Sequence, residues 1–250
     1  MSKSSLENAN AFSKMVAAGL APNALAEGDP FPTRQDCRAC HQIHVSYTSA
    51  DWALETTAPV ALFATAGETF DGGKGNLCTN CHQARRIFPG DPDDDGIVVG
   101  ITTHWGPHHG PQSQMLLGLA GAGGMSSQAG HYFVTDTCVG CHMGEIGSHT
   151  FEPEVARCQT CHPGVTNFDI NDRQSNTQAQ LDEIGAELVR LGVLSSNDPD
   201  GHPTVTSAPL NIATALWNWL YIAHEDKSLG VHNPSYTQSL INEAKTQLGL

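Results

Sequence analysis

Eight cysteines and thirteen histidines are the residues of this 250-residue chain with the most chemistry in them. All eight cysteines fall into four copies of one pattern: Cys37-Arg38-Ala39-Cys40-His41, Cys78-Thr79-Asn80-Cys81-His82, Cys138-Val139-Gly140-Cys141-His142 and Cys158-Gln159-Thr160-Cys161-His162. At this content of Cys and His, chance supplies about 0.01 such matches, so four of them are a designed feature. Cys-x-x-Cys-His is the attachment signature of c-type haem. The two thiols form thioethers to the haem vinyl groups, and the adjacent imidazole is delivered to one axial face of the iron. Four haem c groups are expected, with His41, His82, His142 and His162 as proximal ligands. The competing readings are weaker. Two Cys₄ zinc sites need no His after every second Cys. A disulfide framework does not favour bridges within Cys-x-x-Cys, and thioredoxin-like chemistry needs no fourfold repetition.

Nine further histidines remain for the opposite faces of the irons: His44, His104, His108, His109, His131, His149, His202, His224 and His232. The five methionines are fewer, so two imidazoles per iron is the expectation throughout. Irons saturated in this way carry electrons and bind no substrate, which argues for a relay and not an enzyme. Their potentials should lie below those of Met/His haems, because the Met ligand raises the potential. A second cluster, Asp91-x-Asp93-x-Asp95-Gly96, copies the opening of a calcium loop. Thr102 stands where that loop needs Glu, and Pro92 also departs from it. A solvated acidic turn is favoured over a Ca²⁺ site.

The elements that must position these groups are sparse. Hydrophobic residues are 39% and charged residues 15%, both below the globular average. With 25 Gly and 14 Pro, much of the chain should be turns and loops. The fold class expected is mainly irregular and α, with a loop-rich haem core and C-terminal amphipathic helices. Residues 1–30 read as an N-terminal extension with a helical period over Ser4–Leu20. Residues 31–170 read as the tetrahaem core, in which porphyrins supply much of the apolar interior and no strand pattern exceeds a short hairpin. Residues 171–250 read as a helical segment packing back on that core. Its first helix runs through Leu181, Ile184, Leu188 and Leu191 to Gly192. The second starts at Pro209 and runs through Ile212, Leu216, Trp217, Leu220 and Tyr221. The third runs from Pro234 through Leu240, Ile241, Ala244 and Leu248. Trp217 and Trp219 are read as packing residues and not electron relays.

A net charge of −14 argues against nucleic acid as a partner. No apolar run approaches a membrane span. Ala24-Leu25-Ala26 looks like a leader-cleavage site, but the run before it is short and contains Pro22, so the segment is read as ordered mature chain. Haem attachment to these motifs happens outside the cytoplasm, so export is expected.

Two resemblances follow from these residues. His131, the Cys-x-x-Cys-His-Met of 138–143, His149-Thr150-Phe151 and Gly230-Val231-His232-Asn233-Pro234 resemble the ammonia-forming cytochrome c nitrite reductases. That resemblance implies His232 on the haem of Cys138/Cys141, His131 on the haem of Cys158/Cys161, and His149 on an earlier haem. The Lys-ligated catalytic haem of those enzymes has no Cys-x-x-Cys-Lys counterpart here, so ligands carry over and the reaction does not. The four motifs, Cys40-His41-Gln42-Ile43-His44, His104-Trp105-Gly106-Pro107-His108-His109-Gly110-Pro111-Gln112 and the His-Asn-Pro helix are similar to the extracellular tetrahaem cytochromes of the OmcE type. This implies an extracellular filament, or nanowire, built from copies of the chain. It would have a continuous haem chain, one distal His supplied by a neighbouring subunit, and redox-partner cytochromes or extracellular acceptors at its ends. Either His108 or His109 is a ligand. His44, three residues after a proximal His, is a candidate for a neighbouring haem. His202 and His224 are read as ordinary surface residues. A soluble periplasmic shuttle and a small nitrite- or sulfur-oxyanion reductase are the alternatives.

Overall fold

Three C-terminal helices hold the largest apolar cluster, and their ends follow from local sequence. A computed structural model of the chain describes residues 37–108, 110–144 and 148–250. The N-terminal extension with its expected helix Ser4–Leu20, and the candidate ligand His109, lie outside the described residues. Among the described residues four short helices, α1 (Asn76–Thr79), α2 (Gln112–Leu117), α3 (Cys138–His142) and α4 (Val155–Cys158), precede the long ones. These are α5 (Arg173–Arg190), α6 (Leu210–Trp219) and α7 (Pro234–Leu248).

Helix α5 buries Thr177, Leu181, Ile184 and Leu188, a spacing that lines one face of a 3.6-residue period. Its last turn closes with Leu191 N–H on Glu187 O, and Gly192 leaves the helix at φ 73°. Gly185 sits mid-helix, where glycine costs about 0.5–1 kcal/mol relative to alanine. A Cβ there would collide with Asn197 Oδ1 and approach the Trp219 indole, so the close crossing of α5 by its neighbours requires it.

Helix α6 is buried continuously from Ala213 to Trp219, as befits a helix at the centre of a core. Buried indoles need an acceptor: Trp217 Nε1 donates to Ala120 O at 2.8 Å and Trp219 Nε1 to Leu181 O at 3.0 Å. Both are packing residues. The sequence period carries Leu220 and Tyr221 on as α-helix, but the backbone widens there into a π-helix, Leu220–Asp226, closed by Lys227 at φ 59°. The wider turns bury Glu225 and Asp226 alongside the apolar residues. Helix α7 starts at Pro234 behind an Asn233 cap whose Oδ1 accepts from Tyr236 N, and it ends at Gly249 with φ 73°.

Among the described residues four short strands form two antiparallel pairs. β1 (Val60–Ala61) pairs with β2 (Thr69–Phe70), and β3 (Ile97–Val99) pairs with β4 (Ser207–Pro209). The second pair is no hairpin, because the third and fourth Cys-x-x-Cys-His motifs and helices α2 to α5 lie between its strands. It pins the 97–105 segment to the helices, so that Val98, Ile101 and Trp105 share one core with Leu216 and Trp217. A smaller cluster of Leu62, Phe70, Leu116 and Ala129 lies beside the second motif. The rest is turns and 3₁₀ segments, so the fold is mostly helical and irregular with few short strands. Among the described residues no helix is long and apolar enough to cross a membrane.

Candidate haem centres

Each motif is wound as one helical turn. The His N–H donates to the carbonyl of the first Cys at 2.9 Å in 37–41, 2.9 Å in 78–82 and 2.8 Å in 158–162, and the third motif is helix α3 itself. In a helical turn, positions i, i+3 and i+4 share a face. Both cysteines and the histidine of each motif are therefore presented together, as covalent attachment with axial ligation requires.

The structure then brings distant histidines to three of these four. The rings of His41 and His149 lie 6.0 Å apart, those of His131 and His162 6.2 Å, and those of His142 and His232 6.3 Å. A metal–imidazole bond of about 2.0 Å, with the ring nitrogen about 1.1 Å from the ring centre, separates two axial rings by about 6.2 Å. The three pairs fit an iron between them. Each joins one motif histidine to one histidine from elsewhere, in the partnering that the sequence resemblance implies for His131, His149 and His232. Among the described residues no ring contact pairs His82 with a second imidazole.

Ring orientation is set by the other nitrogen. His41 Nδ1 donates to Trp52 O at 2.8 Å, His142 Nδ1 to Phe151 O at 2.9 Å and His131 Nδ1 to Val231 O at 2.6 Å. A carbonyl can only accept, so Nδ1 carries a proton and Nε2 is the nitrogen left for a metal. His82 Nδ1 faces Gln112 Oε1 at 3.1 Å, while Gln112 Nε2 donates to the carbonyls of Glu225 and Asp226. His232 Nδ1 instead meets a carboxylate, Asp226 Oδ1, at 2.7 Å. Burial alone would lower the His232 pKa. The Asp226 charge and hydrogen bond, with Cys138 behind them, hold it above the usual value.

The motifs also approach one another in sequence order. Cys40 lies close enough to contribute to the raised pKa of Cys78, behind Cys138 and burial, and to that of Cys81, behind burial. The neighbouring Cys138 thiol, with burial, pushes the Cys78 thiol up, while Cys78 brings Cys138 down to about 6 against the opposing effect of burial. Burial raises Cys141, with Cys158 next in effect and Cys161 also contributing. The contact between the second and third motifs is reinforced by Thr137 Oγ1 on Gly72 O at 3.0 Å and by Lys74 on Asp136 at 3.1 Å. A Cβ on Gly75 would overlap Thr137 Oγ1.

Other sequence candidates fall elsewhere. His44 is exposed, at φ 63°, with its ring 5.6 Å from that of Tyr47. His104 and His108 are ring neighbours at 5.9 Å, and His202 and His224 at 5.3 Å. All four line one cavity of about 90 Å³ with Trp105 and Glu225. His202 is exposed, but His224 is not the surface residue read from the sequence: its side chain is 14% exposed, beside Glu225. The π-helix turns it inward. Asp91, Asp93 and Asp95 form a largely exposed turn, in which Asp91 Oδ2 accepts from Gly96 N at 2.6 Å and Asp95 Oδ1 from Ile97 N at 2.9 Å. Among the described residues no three His, Cys, Asp or Glu side chains stand together as a cation site. Asp226 and its hold on His232 were invisible in the sequence, since no motif marks a carboxylate six residues before a histidine.

No protein-family model matches the chain, and no curated protein matches it. Among solved structures it is similar to the crystal structure of the outer cell wall cytochrome OcwA, with a TM-score of 0.56 and 20% identity. The match covers 96% of this chain and 48% of that one, so this chain spans about half the length of OcwA. The chain shares its fold with the matching half of that structure.

Proposed function

We propose that this protein relays electrons along four covalently attached haem c groups, each held between two imidazoles. The observation that carries the reading is the set of three histidine pairs at 6.0–6.3 Å, each containing one motif histidine. When bound, the haem iron supplies one-electron exchange between its ferric and ferrous states. The chain's own residues do the rest. Paired cysteines fix each group at a helical turn, and Nδ1–H donation to Trp52, Phe151 and Val231 aims Nε2 inward. With a second imidazole also on the haem of Cys78/Cys81, no axial position is left for a substrate, and on that basis we read the protein as no enzyme. The succession Cys40 to Cys78 and Cys81, Cys78 to Cys138, then Cys141 to Cys158 and Cys161, supports a haem chain in motif order.

The finer reading is an exported filament subunit of the OmcE type, with copies of itself as partners and one distal histidine shared between subunits. It is supported by the exposed patch around the first motif, where His44 lies among Val45, Tyr47 and Trp52, exposed by 71%, 82% and 70%. His44, His108 and His109 are the candidates for the ligand that completes the haem of Cys78/Cys81. Pyridine haemochrome analysis should give four haems per chain. The reduced native protein should bind no carbon monoxide, and electron microscopy of native material should resolve filaments. Carbon monoxide binding would favour the oxyanion reductase. Four low-spin haems in a protein that stays monomeric at every concentration would favour the periplasmic shuttle.

A further inference from the structure

The candidate ligands differ in what holds their second ring nitrogen. His41, His131 and His142 face backbone carbonyls, and His82 faces an amide oxygen. Those acceptors are neutral. His232 faces the carboxylate of Asp226 at 2.7 Å, and that side chain is 0% exposed. The carboxylate is fixed from its other side: Asp226 Oδ2 accepts from Ser228 Oγ at 2.5 Å and from Ser228 N at 3.3 Å. Ser228 Oγ also accepts from His232 N at 3.2 Å. The end of the π-helix and the left-handed Lys227 at φ 59° set this geometry.

A neutral acceptor leaves an imidazole neutral. A buried carboxylate draws the Nδ1 proton toward itself and raises the basicity of Nε2. A more basic axial ligand, with a fixed negative charge behind it, favours ferric over ferrous iron. We propose that Asp226 is a positioning residue that makes the haem between His142 and His232 the lowest in potential of the four. Electrons then cross the interior of the chain over a low step at the third motif. This rests on the haem reading above.

The test uses the four-haem holoprotein and its Asp226→Asn variant, which keeps the shape and a hydrogen-bond acceptor but removes the charge. Spectroelectrochemical titration should show the lowest of four midpoint potentials moving upward while the other three stay. One low-spin electron paramagnetic resonance signal should shift with it. Four attached low-spin haems with no potential moved, or movement of a haem other than the lowest, overturns the inference and leaves the relay reading standing. Fewer than four haems in the parent protein overturns the relay reading itself. Should Asp226→Asn not accumulate, His232→Ala decides: the signal it abolishes must belong to the haem that titrates lowest in the parent, and assignment to any other haem is a refutation.

Discussion

Asn233 should be among the costliest polar residues to replace, and the choice of replacement separates two explanations. Its side chain is buried between His232 and helix α7. Oδ1 caps the helix by accepting from Tyr236 N at 3.1 Å, while Nδ2 donates to Met115 O at 3.0 Å and Ser127 O at 2.6 Å. Asn233→Ala removes the cap, worth about 1 kcal/mol. It also leaves the Ser127 carbonyl without its donor, at about 1–3 kcal/mol. Met115 O keeps a second donor in Gly118 N and adds little. The expected loss is about 2–4 kcal/mol. Aspartate is as good a cap as asparagine, so a capping role alone would make Asn233→Asp nearly neutral. The structure requires the opposite, because a carboxylate oxygen would then face two carbonyl oxygens. Guanidinium unfolding of the holoprotein, followed by far-UV circular dichroism with the Soret band recorded in parallel, measures both variants. An aspartate variant within about 0.5 kcal/mol of the parent, or an alanine variant losing less than about 1 kcal/mol, would refute the reasoning.

Other outcomes follow from the same geometry. His149→Ala should leave four attached haems but open one axial position, that of the Cys37/Cys40 haem opposite His41, read as carbon monoxide binding to one haem in four. Asp136 is held below the usual carboxylate range, chiefly by the Lys74 amide and next by the Lys74 ammonium. A lowered folded pKa stabilises above the unfolded value of about 3.9 and is lost as pH falls through the folded one. The stability gap between parent and Asp136→Asn should therefore be level near neutral pH and close below about pH 4. With two propionates per haem, the chain's −14 becomes about −18 when all irons are ferric and about −22 when ferrous. Raising salt should therefore strengthen self-assembly by screening, and light scattering that falls steadily with added salt would contradict this.

What the sequence determined alone is what lies within five residues. The alignment of each motif's two cysteines and histidine on one face is local, since one helical turn suffices for it. Two helix starts and one stop were legible for the same reason: Pro209 and Pro234 act on the adjacent turn, and Gly192 acts where it stands. The candidate distal ligands are different. His149 meets His41, and His232 meets His142, across about a hundred residues of chain, and composition could supply only a surplus of histidines. Their partners were approachable solely through resemblance. The tertiary structure decided the rest. The pairing of β3 with β4 joins segments that no local pattern links, because two three-residue strands carry too little alternation to be recognised. The π-helix at Leu220–Asp226 shares its apolar period with an α-helix and differs in which polar residues it buries. That difference turns His224 inward and sets Asp226 against His232, because burial and hydrogen-bond geometry are properties of the packed chain and of no single stretch of it.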